Sequence, residues 1–287
     1  MAIKRLYLDF FKFLAEMEKG DPWSSFQELY LKPYNDFFAA YWERFSFFDP
    51  NQIKERVLQI KEGDYGQLKS LIQANDPALL AEETLKKCQK VLPLDPEPDI
   101  YLFVGFFSAE GTTLEVSGAP AIALGLERFK DFRDFSLLLT HEYGHCAQWP
   151  FLKEFFPYKE KPLLYSIISE GLAVFFSETV LTDIPLHRHL FLTPERLKWC
   201  WENQEALLAL AGADLAFSKL IPILFGPGDD KAGLPPRIGY FIARQMLGNC
   251  LSHHGAEYFG QEFPNFKKLF QDLLSSGKLK IQKDCPF

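Results

Sequence analysis

His141, Glu142 and His145 stand in the pentapeptide HEYGH, spaced as H-E-x-x-H. On a helix, residues i and i+4 share a face, so the two imidazoles can converge on one metal ion with the Glu142 carboxylate beside them. This is the pattern of hydrolytic zinc, in which histidines bind and the glutamate works on a water. Two histidines are an incomplete set, because catalytic zinc takes three protein ligands and keeps a fourth position open. A third histidine at the HExxHxxGxxH spacing is ruled out, since Gln148 and Phe151 occupy the relevant positions. The other helical solution is a glutamate on a following antiparallel helix. Glu170, in SEGLA, comes after Pro150, Pro157 and Pro162, which can reverse the chain. Its surroundings are apolar, and a carboxylate there is costly unless paired or metal-bound. Ser166, Ala173 and Ser177 share its helical face and leave room for an ion. The competing readings are a salt bridge for Glu170 and a hydrogen-bonded pair for the two histidines.

Such a site needs two helices and a wall to set them against. Asp131–Trp149 reads as the helix carrying HEYGH, with uncharged residues around the motif, and Pro162–Thr182 as a second buried helix. Upstream, Ile100–Phe107, Thr112–Val116 and Pro120–Leu126 are short and β-rich, with turns at Glu110-Gly111 and Ser117-Gly118. They predict a small antiparallel sheet, whose edge strand can pair with an extended peptide. Residues 1–92 read as helices. Leu6, Phe10, Phe13, Leu14 and Met17 form an apolar stripe, and Asp21-Pro22, Asp49-Pro50 and Asp76-Pro77 are helix starts. The aromatic run from Trp23 to Phe45 reads as helix-packing core. The proline-rich segment Leu92–Ile100 marks a boundary. Further on, Pro194–Leu210 is an amphipathic helix and Asp214–Phe225 is apolar. Gly226–Pro236 is a loop suited to rim or cover a cleft, and Arg237–Leu251 and Phe263–Leu274 are helices.

HExxH followed by a glutamate on a second helix resembles the gluzincin zinc metallopeptidases. More closely, VGFFSAEGTT, PAIALGLE, LLLTHEYGHCAQ, SEGLAVFF and GYFIARQML are similar to the family of predicted bacterial zinc-dependent proteases of unknown function. The similarity spans roughly residues 99–250, and HEYGH plus SEGLA is its specific part. It implies one zinc ion per chain on His141, His145 and Glu170, with Glu142 as catalytic base. It also makes Tyr240, in a Gly-Tyr pair, the candidate donor to the transition-state oxyanion; the alternative is a helix-packing aromatic. Two departures stand out. Val174 replaces the aspartate that thermolysin-like relatives carry four residues after the glutamate ligand, and no GxMEN-type aminopeptidase motif is present.

The expected fold class is therefore α+β, mostly helical. A zincin-like core would pack a small antiparallel sheet on the HExxH helix, as an N-terminal helical region 1–98 and a metallopeptidase domain 99–287 forming one compact unit. The expected function is zinc-dependent peptide hydrolysis; a zinc-containing peptide- or partner-binding protein without catalysis is the alternative. Net charge of −7 without a basic stripe argues against nucleic acid. No cleavable leader and no run of 18 uncharged apolar residues is evident, so no membrane span is expected. Five widely spaced cysteines without a CxxC read as reduced thiols of a cytoplasmic protein. His187 and His189, two apart, suit a strand face and offer a remote second metal site. His253-His254 fits a helix end, and Cys146 reads as core. Arg237 either binds a substrate carboxylate or caps a helix.

Overall fold

The computed structural model describes residues 1–44, 49–106, 109–155 and 161–254. The chain divides into two compact units, the first Met1–Cys146 and the second from Ala147 onward, with the division inside one helix.

In the first unit the order is β1 (Ile3–Arg5), α1 (Leu6–Glu16), α2 (Pro22–Phe26), α3 (Asn35–Arg44), α4 (Pro50–Gln59), α5 (Gly66–Ala74) and α6 (Pro77–Val91). Then come β2 (Asp99–Phe103), β3 (Gly111–Val116), β4 (Ala119–Gly125) and the first turns of α7 (Phe135–Phe155). The Asp-Pro signals work as expected. Asp21, Asp49 and Asp76 each accept a backbone N–H of the helix they open, and proline occupies the first turn. The strands form one sheet in the order β1-β2-β4-β3. It is mixed, which corrects the antiparallel expectation: β3 and β4 form an antiparallel hairpin, while β2 runs parallel to β4 and to β1. Side-chain alternation marks a strand but not its partner's direction. β1 was not expected at all, because three residues are too few to show a period.

The hairpin turn is built by Ser117 and Gly118, whose φ values of 51° and 81° suit the two-residue turns that match strand twist. The sheet has two distinct faces. Tyr101 and Phe103 point to the N-terminal helices, where Phe37 stacks on Tyr101 at 4.3 Å and Tyr41 meets Phe103 edge-on at 4.7 Å. Gly111 and Thr113 lie on the opposite face, against α7. Side chains from the N-terminal helical region and from the segment after β4 hold the backbone that leaves β2. The Tyr30 hydroxyl donates to Val104 O (3.0 Å) and accepts from Val104 N (2.8 Å). Arg56 donates to Phe106 O, and Glu127 accepts from Gly105 N.

The second unit contains the rest of α7, then α8 (Leu163–Val180), α9 (Leu186–His189), α10 (Pro194–Glu202), α11 (Gln204–Ala213), α12 (Ile221–Leu224) and α13 (Gly239–His254). α7 runs past Pro150, where the sequence suggested a loop. Proline deletes one N–H bond, but the turns on either side can continue through it. The single helix expected over 194–210 is two. They break at Asn203, whose side-chain amide donates to Trp199 O and competes with the helix ladder. α8 is long and apolar enough to cross a membrane by length and composition alone, yet most of it is buried within the protein. It packs on α13 around Ile167, Val174, Ile242 and Met246. The 226–236 segment is a hydrogen-bonded turn closed by mutual Asp229–Leu234 bonds, with Gly228 and Gly233 at positive φ. α13 is described through His254, and the helix end expected at His253-His254 turns on residues outside the described ones. The helix expected over 263–274 lies outside the described residues.

Candidate metal centre

α7 positions the first three residues of the site. Its N-terminal half is fixed by Thr84 to Ser136 (2.8 Å), by Cys88 beside Thr140, and by the Tyr143 hydroxyl, which donates to Leu92 O at 2.9 Å. One helical turn apart, His141 and His145 bring their Nε2 atoms to 3.1 Å, with the rings near perpendicular. Two nitrogens bound to one zinc at about 2.0–2.1 Å and a tetrahedral angle stand roughly 3.3 Å apart, so the spacing suits a shared ion. An N–H···N bond also fits that distance, and the tautomers decide the roles. The third donor discriminates, because a histidine pair needs no carboxylate. Ligand atoms of His141, His145 and Glu170 all lie within 4.8 Å of one another. No other group of three such side chains does so among the described residues. Two imidazoles and a carboxylate are the donor set of a catalytic zinc site with an open position. His141 and Glu142 are buried; His145 and Glu170 are half-buried.

Glu142 faces the sheet. Its Oε2 accepts from the Thr113 hydroxyl at 2.9 Å. A Cβ at Gly111 would come within 3.2 Å of Glu142 Cγ and 3.0 Å of Leu138 Cγ, so glycine there leaves the glutamate its room. Cys146 contacts Thr113 and sits in the core, where burial pushes its thiol far above the ordinary value. It is a packing residue and not a thiolate ligand.

The placement of Glu170 follows from contacts within the second unit. Gln148 Nε2 donates to Ser169 O at 2.8 Å, which ties α7 to α8 one residue before the glutamate. One residue after it, Gly171 permits close packing of α13: a Cβ there would lie 2.9 Å from Ala243 O. Two turns along α8, Glu178 takes a bidentate bond from Arg244 of α13, at 2.6 and 2.9 Å. Glu178 thus forms a salt bridge across α8 and α13, and Glu170 has a carboxylate oxygen beside the histidines.

Sequence reasoning missed Thr113, Gln148 and the Glu178–Arg244 pair. The only signals were a polar residue in a β-rich run and three charged or amide residues in apolar helices. Tyr240, in the first turn of α13, packs edge-on against Phe191 (5.0 Å) and Phe225 (5.4 Å). Arg237 has a positive φ of 64° just before α13, and its N–H donates to Gly226 O. His187 and His189 sit on the short helix α9, not on a strand. The His189 ring bonds Ser177 Oγ at 2.9 Å and Ile184 O at 3.2 Å. Burial holds His189 below the ordinary histidine value.

No curated protein and no solved structure matches the chain. A family model matches residues 80–260, spanning β2 to β4, α7, α8 and α13, and its description is "Predicted Zn-dependent protease (DUF2268)".

Proposed function

The chain belongs to this family of predicted Zn-dependent proteases, and on that premise we propose that it is a gluzincin-type metallopeptidase that hydrolyses peptide bonds. The observation that carries the reading is the convergence of His141, His145 and Glu170 beside a glutamate that follows the first histidine directly. Those three side chains would hold one zinc ion. Bound zinc supplies Lewis acidity, which lowers the pKa of water toward neutrality and polarises a carbonyl.

The chain's own residues supply the proton traffic. Thr113 engages Glu142 Oε2, which leaves Oε1 to take a proton from water and return it to the leaving amine. Among the described residues β3 is one of the two edge strands of the sheet, and it lies next to Glu142. An extended peptide adding to its open edge would run past the base, with main-chain bonds giving affinity. Tyr240 is the proposed oxyanion donor. A reducing, cytoplasmic setting is proposed from the wide spacing of the five cysteines and the lack of a CxxC.

Glu142→Gln tests the reading. The variant should keep zinc at the wild-type level and lose peptide cleavage on a broad peptide library. Equal cleavage by variant and wild type contradicts it, and equal inactivity of both favours a peptide-binding protein.

A further inference from the structure

We infer that Thr113 of the edge strand is a positioning residue that sets the orientation of the Glu142 carboxylate. The inference rests on Glu142 being the base. Three observations carry it. The Thr113 hydroxyl lies 2.9 Å from Glu142 Oε2 and 3.1 Å from the Glu142 carbonyl oxygen. It has one proton to give. The helical carbonyl is already served by the α7 ladder, and a bond to an ionised carboxylate is the stronger one, so the proton goes to Oε2. Thr113 is also buried, which keeps water from competing for that oxygen.

Without this bond little holds the carboxylate plane, because the terminal torsion of glutamate is broad and roughly two-fold. The strand fixes the donor in turn. Thr113 pairs with Ile122 in the hairpin, and β-branching restricts its χ1. Cys146 Sγ flanks the hydroxyl at 4.0 Å. Two residues earlier on the same face, Gly111 clears the space that the Glu142 stem occupies. The strand placed to align a peptide thus also aims the group that moves its proton, and a register shift in β3 would disturb both at once.

Thr113→Val and Thr113→Ser test this in the zinc-loaded full-length protein. Valine keeps the shape and removes the hydroxyl; serine restores it. We expect Val to retain wild-type zinc content and KM while kcat falls about 10- to 100-fold, and Ser to recover most of the loss. High-resolution crystal structures give a readout independent of turnover. The Glu142 carboxylate should hold one orientation in wild type and Ser, and a rotated or split one in Val. Wild-type kcat in Val, or an unchanged carboxylate, overturns the inference. Should Val fail to fold, Thr113→Ala is read the same way. A zinc-loaded wild type that cleaves no peptide defeats the hydrolase reading instead, and the carboxylate orientation then decides the role of Thr113 alone.

Discussion

Replacing Arg244 with methionine should expose how much of the second unit depends on one ion pair. Arg244 spans from α13 to Glu178 on α8 with two bonds, and its side chain is 23% exposed against 9% for the glutamate. Breaking a buried pair from one side costs about 3–5 kcal/mol, because the remaining charge stays desolvated. Partial exposure of the guanidinium puts this case near the lower end, about 3 kcal/mol. Losing the stacking of Arg244 on the Phe175 ring, 5.4 Å away, adds less than about 1 kcal/mol. For a chain of this length such a loss lowers Tm by about 5 °C. Thermal unfolding of wild type, Arg244→Met, Glu178→Gln and the double variant completes the cycle. The double variant should be at least about 1 kcal/mol more stable than Arg244→Met, since no unpaired charge remains. An Arg244→Met protein within about 1 kcal/mol of wild type, or strictly additive losses, would refute the reasoning.

Three further outcomes follow from packing and protonation. Gly171→Ala should destabilise by about 1–3 kcal/mol in urea unfolding, because its Cβ meets a backbone oxygen of α13. Gly66→Ala, with open space around it, is the control that should be neutral or stabilising. Burial lowers the His189 pKa in the fold, so as pH falls the unfolded chain binds that proton first. The stability His189 contributes is full above about 6.5 and is lost as pH drops through its lower folded value. Metal-free His189→Gln should therefore show a shallower loss of stability between about pH 7 and 5 than metal-free wild type, and parallel curves would contradict this. Burial pushes the Cys88 and Cys200 thiols up to about 12 and the Cys146 thiol higher still. With Cys250 and Cys285 replaced by alanine, a thiol reagent at about pH 8 should find no reactive cysteine until denaturant is added.

The sequence was most legible where a local rule suffices. The Asp-Pro caps name α2, α4 and α6 because side chain and backbone meet within three residues. The i, i+4 spacing of His141 and His145 places two donors on one face without knowledge of the fold. Glu170 was within reach because a carboxylate in so apolar a helix demands a partner. Its neighbour Glu178 met the same demand through Arg244, a residue 66 positions away that no local pattern indicates. Strand direction, the brief β1 and the role of Thr113 were equally hidden. Each depends on which segments meet across the sheet, and period-2 alternation is silent on that. Pro150 shows the opposite failure, a strong local signal that the surrounding turns overrode.

The most direct test of the central claim is anomalous diffraction at the zinc edge from crystals of protein purified without chelator. The account predicts one strong peak per chain, within bonding distance of His141 Nε2, His145 Nε2 and a Glu170 carboxylate oxygen. A peak that excludes Glu170, or no peak in protein supplied with zinc, would contradict it.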